Sequence, residues 1–448
     1  MSMLEVDHDF SKGHSSRERV DSRVSRANVP WDALVIASLV VLLPIGRFAE
    51  LPVLVSLVVV VTLMLRGRGE VLRGPGFALT VALFACYWLP ILLSGFAAIQ
   101  PTKTWSTAAS ALRFLPFALF IVAGLSNLRS LRGVLLATAA VILIWLIDAW
   151  VQMATGFSIA GSAERERLAG IFGADNLKLG PVLATLSPFL LLALRARFGR
   201  LGLAFGFVAL VGPILMAGSR AAWLSFALVC AILLWRETRH VGRFLALIAG
   251  LAIALLVAGG AAWKFSDRFD HRIDRTLLAL QGTVQAVDEA SAGRLSIWRA
   301  ARGMIVEHPW TGVGARGFRY AYPDYAAKGD RFVETDSDTG ASHAHQIVLE
   351  VLSETGVIGL LLWLIGTTLA VRAWLRATAL ARDQALAPAL ALVAMTFPLN
   401  THLAFYSAWW GLLFWWLLAL YIAALHSRDQ AGISNDVSEP QSDETHQL

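Results

Sequence analysis

Two histidines stand at the entrance of an apolar stretch in the last third of the chain. His343 and His345 directly precede the run "QIVLEVL". A neutral imidazole can take a proton from a hydroxyl near neutral pH, which is the role of a general base. The alternative is that one histidine caps a helix and the other lies at a membrane surface. Because side chains two positions apart point in different directions in a helix or a strand, we expect at most one to be the base.

Two arginines have the chemistry of an anion site. Arg220 follows Ser219 where one apolar run turns into the next, and Arg294 lies in the polar segment "AGRLSIW". A planar guanidinium matches two oxygens of a phosphate, and Ser219 can cap a helix whose free N–H groups also attract anions. The alternatives are that Arg220 extends its charge to the membrane surface and that Arg294 is a solvated loop charge.

Further ionisable residues lie within or beside apolar runs. Glu354 is placed to pair with a cation or to lie in the interior of a helix bundle. Arg113 and Asp148 are functional candidates because ionisable groups in membrane segments usually serve a function; the alternative is a structural ion pair between them. Lys178 and Asp175 could line a polar cavity.

Two motifs are weaker indications of a ligand site. Asp336 and Asp338 could hold a divalent cation at a diphosphate, but a solvated acidic loop is the preferred interpretation. Gly312, Gly314 and Gly317 resemble a phosphate-binding loop, yet no strand precedes them, which disfavours a nucleotide site. Zinc spacings and a nucleophile elbow are absent from the sequence.

The elements that must carry these residues are membrane helices. Of the 448 residues, 56% are hydrophobic and 16% are charged, against about 25% charged residues in soluble domains. Continuous apolar runs predict helices, because strands of a membrane barrel would alternate. The net charge of +6 is weak evidence for nucleic acid, because arginine in a membrane protein marks cytoplasmic loops. Cys86 and Cys230 lie inside apolar runs, so neither a disulfide nor a metal site is indicated.

The sequence therefore predicts an all-α integral membrane protein with about twelve transmembrane helices. Residues 1–30 are polar and have no signal-peptide core, and residues 426–448 have the composition of a disordered tail. The predicted spans are 31–46, 51–65, 77–95, 107–125, 131–153, 171–194, 201–217, 219–235, 242–264, 346–372, 386–402 and 404–425.

Basic residues mark one side of this bundle. Each connection from an even to an odd span is rich in arginine, as in 66–73, 195–200 and 372–382, whereas the other connections carry far less. The positive-inside rule then predicts that both termini, 1–30 and 426–448, are cytoplasmic.

One large loop lies on the opposite side. It covers residues 265–345, between spans nine and ten, and separates transmembrane parts 31–264 and 346–425. Apolar residues at helical spacing predict a helix over 294–306, which His308-Pro309 ends. The arginines and histidines singled out above therefore face the same compartment.

Four motifs occur in a fixed order along the second half of the chain. They are "GSR" at 218–220, Gly293-Arg294 to Trp298, "HPWTGVGARGF" at 308–318 and "HAHQIVLEVLSETGVIG" at 343–359. Their order and spacing and the large late loop resemble the O-antigen ligase and O-antigen polymerase superfamily of bacterial inner membranes. Gln346 stands where that family usually has Asn, and it offers the same hydrogen-bonding groups.

The resemblance implies an inverting glycosyltransferase that works without nucleotide sugar, cofactor or metal. The donor would be an O-antigen on undecaprenyl diphosphate, and the acceptor a sugar hydroxyl of the lipid A–core oligosaccharide. Transfer would occur among membrane lipids at the periplasmic face of the inner membrane, with no nucleic acid partner. Arg220 and Arg294 would bind the diphosphate. His345, which precedes the polar residue of the family motif, would be the base, with His343 as the alternative. Additional site candidates are Arg113, Ser219 and Glu354.

Other functions remain open at this point. An O-antigen polymerase or a protein O-oligosaccharyltransferase would use the same donor with another acceptor. A transporter or lipid flippase belongs to a different class, and it predicts buried charges near the middle of the membrane and broken helices. The clustering of polar residues at one face favours the enzyme.

Overall fold

The structure is a computed structural model that describes residues 31–162, 168–173, 176–250, 293–333, 339–401 and 403–427. Predictions for residues 1–30, for Asp175, for Asp336 and Asp338, and for most of span nine and of the tail concern residues outside these ranges.

The described part of the chain is almost entirely helical. Its one sheet is an antiparallel hairpin of β1 (Phe157–Ser158) and β2 (Gly161–Ser162), and the all-α prediction is otherwise confirmed. The helices are α1 (Trp31–Leu42), α2 (Leu51–Leu65), α3 (Phe77–Ser94), α4 (Pro101–Ala111), α5 (Phe114–Gly124), α6 (Leu128–Thr155), α7 (Leu179–Met216), α8 (Arg220–Thr238), α9 (Val241–Gly250), α10 (Arg294–Glu307), α11 (Phe318–Tyr325), α12 (Ile347–Arg376), α13 (Ala379–Thr396) and α14 (Ala408–His426).

Eight helical stretches of the described residues are long and apolar enough to cross a membrane. The predicted number of about twelve stays a prediction, because this count joins helices that non-helical residues separate and leaves out most of span nine. The predicted spans 31–46 and 51–65 fall together in the stretch Trp31–Leu65, although Ile45 and Gly46 interrupt the helix with non-helical angles, and α9 is described only as far as Gly250. Arg382 and Asp383 near the start of α13 lower the hydropathy of that helix.

α7 is in fact two antiparallel helices, as the two predicted spans 171–194 and 201–217 require. Gly199 breaks the helix with φ 67° and ψ −152°. A Cβ atom added at Gly180 would lie 2.9 Å from Ala217 Cβ. A straight helix of 38 residues would separate these two positions by about 55 Å, at 1.5 Å per residue. The chain therefore turns back at Gly199. The end of α7 and the start of α8 lie beside the start of α7.

Ion pairs identify one end of the bundle, which we call the basic end. Glu237 at the end of α8 binds Arg195 at 2.8 Å and Arg200 at 3.2 Å. Arg236 pairs with Asp383 at the start of α13. The basic connections 195–200 and 372–382 therefore lie together with the end of α8. The starts of α8, α12 and α14 lie at the other end, which we call the site end.

Two apolar cores hold these parts in place. The main core surrounds α14. Of an 18-residue stretch of this helix 83% is buried, against 28% of such a stretch in Trp31–Leu65. A helix that is apolar on all sides belongs in the interior, and Trp416 satisfies its N–H by donating to the carbonyl of Ile36 at 2.9 Å. A separate core joins α10 and α11 to residues 341–344 through Met304, Phe318 and Tyr322. It forms the part of the predicted large loop that the structure describes.

Candidate active site

The N-terminus of α8 carries the first predicted arginine. Ser219 caps this helix, because its hydroxyl oxygen accepts a hydrogen bond from the N–H of Ala222 at 3.2 Å. The cap that the sequence predicted is therefore present. Arg220 is the first helical residue and is exposed. The remaining free N–H groups of this helix end add partial positive charge at the residue that carries the guanidinium.

The second arginine also begins a helix. Arg294 is the first residue of α10, and the preceding Gly293 has φ 79°. Burial lowers the pKa of Arg294, and the charge of Arg220 lowers it further. The two arginines thus lie within electrostatic range of each other, although like charges repel. Such an arrangement is suited to an anion that binds between them.

The two histidines lie side by side, and this corrects the expectation that they point in different directions. Their ring centroids are 3.9 Å apart and the ring planes are inclined by 42°. The segment is neither helical nor extended, because His345 has φ 53°, in the left-handed region. His343 is buried, and its Nδ1 lies 2.9 Å from the hydroxyl oxygen of the exposed Ser342.

One ring nitrogen of His345 is fixed by the main chain. Its Nδ1 lies 2.8 Å from the carbonyl oxygen of Thr401. A carbonyl only accepts, so Nδ1 must carry the proton, and the neutral ring keeps its lone pair on Nε2. Burial lowers the pKa of His345, the hydrogen bond to Thr401 raises it, and the charge of Arg294 lowers it again. The net effect is a pKa below the ordinary value, so this arrangement favours the neutral ring.

The part of the chain that carries this geometry matches a known protein family. Residues 205–364 match the family described as O-antigen ligase, and the comparison with curated proteins finds no match. This part of the chain is similar to the O-antigen ligase family. The resemblance drawn from the four motifs is thereby confirmed, and Arg220, Arg294, His343 and His345 all lie inside the matched residues.

The matched residues include a broken helix. α12 has non-helical angles at Gly356, φ 65° and ψ −165°. Segment 309–314 inserts at the break and bonds to the main-chain groups around it. Val313 and Gly314 donate N–H bonds to the carbonyls of Ser353 and Glu354, at 2.8 and 3.0 Å.

The inserted segment also accepts hydrogen bonds from the second half of α12. Val357 and Ile358 donate to the carbonyls of Pro309 and Trp310, at 2.8 and 3.3 Å. Main-chain groups inside a membrane span must be satisfied within the protein, and this insertion satisfies them. The glycine-rich segment that resembled a phosphate loop therefore serves here to join α10 to α12.

Glu354 belongs to this junction. Its side chain is fully buried, and its Oε2 accepts a hydrogen bond from the N–H of Arg316 at 2.7 Å. It therefore lies in the bundle interior, which is one of the two alternatives left open by the sequence. Glu350, one turn earlier, is equally buried.

Arg113 lies outside the matched residues and forms a different contact from the one considered in the sequence. It binds Glu50 at 3.0 Å and the carbonyl of Ser110 at 2.7 Å. Asp148 accepts the N–H of Ile159 at 2.7 Å. The proposed pair of Arg113 with Asp148 is thus not formed, because the 3₁₀ turn before α2 brings Glu50 to Arg113 instead.

Two residues of the site received no role from the sequence. Thr401 supplies the carbonyl that holds His345 and lies beyond the matched residues 205–364. Trp298 donates its ring N–H to the carbonyl of Ala344, between the two histidines, at 3.1 Å. In the sequence, Trp298 could have been recognised by its position one helical turn after Arg294.

Lys178 lies at the mouth of α7, where the sequence placed it. Its ammonium group lies over the ring of Trp409, 4.5 Å from the centroid. An aromatic face attracts a cation, so this contact orients the lysine toward the start of α14.

Metal ligands form no cluster in the described ranges: no three His, Cys, Asp or Glu side chains are close enough together to hold an ion. Asp336 and Asp338 lie outside those ranges, so the weaker cation interpretation for them stays a prediction.

Proposed function

We propose that the protein is an O-antigen ligase. It transfers O-antigen polysaccharide from undecaprenyl diphosphate to the lipid A–core oligosaccharide at the periplasmic face of the bacterial inner membrane. The observation that carries the proposal is the cluster of two neighbouring arginines with a neutral histidine inside the residues that match the O-antigen ligase family.

The reaction needs a base and an anion site, and the cluster supplies both. The acceptor hydroxyl attacks the anomeric carbon of the donor and gives its proton to Nε2 of His345. The bond from the anomeric carbon to the diphosphate oxygen breaks at the same time, and the bonding electrons leave with the lipid diphosphate. Attack from the face opposite to the leaving group inverts the anomeric carbon.

The two arginines stabilise the leaving group. Negative charge grows on the diphosphate as the bond breaks, and fixed cations at that point lower the barrier. Arg220 and Arg294 each begin a helix, so the free N–H groups of α8 and α10 add to their positive charge. In this proposal the arginines take the place that metal ions have in many phosphate-transfer enzymes. The repulsion between them is relieved when the anion binds.

An apolar cavity supports a lipid-linked substrate. It has a volume of about 490 Å³ and lies between α3, α12, α13 and α14. Its lining includes Trp363, Leu390, Phe405 and Tyr406. Phe405 and Tyr406 belong to the connection that also contains Thr401, so the cavity ends next to the segment that holds His345. A hydrocarbon chain in the membrane could occupy it while its head group meets the arginines.

The orientation follows from charge. The connections at the basic end carry the arginines of the Arg195, Arg200 and Arg236 ion pairs. The positive-inside rule assigns this end, with both termini, to the cytoplasm. The site end then faces the periplasm.

A reconstituted transfer assay tests the proposal. Purified protein receives undecaprenyl-diphosphate O-antigen and lipid A–core acceptor in the presence of EDTA. We expect a ladder of lipopolysaccharide that a His345→Ala protein does not produce. Longer lipid-linked polymer without transfer to lipid A–core would indicate an O-antigen polymerase, and transfer to a protein acceptor an oligosaccharyltransferase. Movement of the lipid donor across proteoliposomes without any transfer would indicate a transporter and exclude the enzyme.

A further inference from the structure

The main chain of His345 is held in a conformation that it would not adopt alone. Its φ of 53° lies in the left-handed region, which residues with a Cβ atom rarely occupy. Such a conformation persists only where surrounding contacts fix it, and it is common at functional sites. The contacts around His345 therefore indicate what determines the direction of its imidazole.

One contact fixes the imidazole ring of His345, and another fixes its main chain. The carbonyl of Thr401 fixes the ring through Nδ1. The ring N–H of Trp298 donates to the carbonyl oxygen of Ala344 at 3.1 Å. That carbonyl belongs to the peptide plane joining Ala344 to His345, so the bond from Trp298 restrains the rotation that sets φ of His345.

The same helix face also carries the anion-binding arginine. Trp298 follows Arg294 by four residues in α10, and residues at this spacing lie on one face of a helix. The far end of α10 leads into segment 309–314, which is bonded to α12 on both sides of Gly356. α10 is thus fixed relative to the helix that His345 precedes.

We infer that Trp298 is a positioning residue, which sets the main chain of His345 so that Nε2 has a fixed distance and direction from the diphosphate held at Arg294. This inference rests on the proposed roles of His345 and Arg294. It assigns to Trp298 a function beyond its packing against the core of α10 and α11.

The test replaces the indole by a ring without an N–H group. Trp298→Phe keeps an aromatic ring in the core and removes the single hydrogen bond. We expect kcat to fall about tenfold, because a small displacement of a reacting group is costly, while KM for the donor stays unchanged since both arginines remain. We also expect the pKa of His345 to move, because its ring loses its fixed distance from Arg294.

A matched control removes an equivalent bond elsewhere. The ring N–H of Trp150 donates to the carbonyl of Ala209 at 2.9 Å, between α6 and α7. Trp150→Phe should leave kcat and the pKa of His345 as in the wild type. NMR titration of histidine-labelled protein, with the His345 signal assigned through His345→Gln, measures that pKa without any transfer reaction.

The outcomes separate the inference from the proposed function. A folded Trp298→Phe protein with wild-type kcat and wild-type His345 titration would overturn the positioning role. A Trp298→Phe protein that loses only thermal stability, as the Trp150→Phe control does, would overturn it as well. A wild-type protein that transfers no sugar would contradict the proposed function, and the titration would then still decide whether Trp298 controls His345.

Discussion

The Nδ1 atom of His345 and the carbonyl oxygen of Thr401 are 2.8 Å apart, although the residues are separated by 56 positions in the chain. The contact joins the segment before α12 to the connection between α13 and α14. It fixes the tautomer of the imidazole and leaves Nε2 as the basic atom. His343, by contrast, is buried and contacts the neighbouring Ser342. The two histidines are therefore not equivalent.

The first prediction separates the two histidines. His345→Ala should lower kcat by about 10²–10⁴-fold, the range for loss of a general base. His343→Ala should reduce it much less, because the ring of His343 is buried and its Nδ1 lies at the hydroxyl of Ser342. Single-turnover transfer rates of both proteins, with size-exclusion profiles to check folding, provide the comparison. Loss of transfer in His343→Ala alone would assign the base to His343.

The second prediction concerns pH. The base must be neutral to accept a proton, so activity is lost as pH falls through the pKa of His345. Burial and the charge of Arg294 lower this pKa, so kcat/KM should stay level to below about pH 6.5, the ordinary histidine value.

Arginine variants check the cause of this shift. Arg294→Gln removes a positive charge that acts on His345, so the pKa should rise and the residual activity should be lost at a higher pH than in the wild type. Arg220 has no comparable influence on His345, and Arg220→Gln should leave the acid limb where it was. Equal shifts in both variants would assign the effect to the general charge of the site.

The third prediction tests the anion site itself. Arg220→Ala or Arg294→Ala should lower kcat by about 10²–10³-fold, as loss of one stabilising donor does in other enzymes. Lysine at either position should restore little, because it lacks the planar pair of donors. Arg302→Ala is the matched control, since Arg302 lies exposed on the same helix as Arg294. Lipopolysaccharide formation by purified proteins is the measurement, and a large loss in Arg302→Ala would mean that the total charge of the loop matters.

Much of this site was accessible from the sequence, and the limits have physical causes. The position of Ser219 before an apolar stretch predicted the capped N-terminus of α8, and the apolar spacing over 294–306 predicted the helix that Arg294 begins; both helices were found. The relation of His343 to His345 was mispredicted because a left-handed residue between helix and loop follows no regular periodicity. Thr401 was missed because it contributes a main-chain carbonyl, which every residue possesses, so its side chain carries no signal. The partner of Arg113 depends on a tertiary contact with Glu50.

The fold was predictable to a similar depth. Apolar runs identified the membrane helices, and the reversal at Gly199 within α7 matched two separate predicted spans. The break of α12 at Gly356 was not foreseen, because a lone glycine in an apolar run is compatible with an intact helix. Only the insertion of segment 309–314 against it makes the break favourable, and that is a long-range contact.

The fourth prediction concerns this junction. Gly356 has φ 65°, and an added Cβ atom would overlap the main chain of Trp310. Gly356→Ala should therefore destabilise the protein by about 3–5 kcal/mol, from overpacking together with backbone strain. Gly329→Ala is the control, because Gly329 has φ 75° with nothing within 4 Å of the added atom. It should cost about 1 kcal/mol. Thermal unfolding in detergent compares the two, and equal losses would mean that strain alone matters.

The fifth prediction asks what Glu354 contributes to the same junction. Its Oε2 accepts the N–H of Arg316, a residue with φ 62°. Glu354→Gln retains an oxygen that can accept this bond, so the protein should keep nearly wild-type stability. Glu354→Met has a similar length but leaves a buried N–H unsatisfied, at a cost of about 1–3 kcal/mol. Unfolding temperatures of the two variants decide between the acceptor and the charge. If Gln and Met destabilise equally, the negative charge of Glu354 beside Arg316 stabilises the junction, and the hydrogen bond to the main chain is secondary.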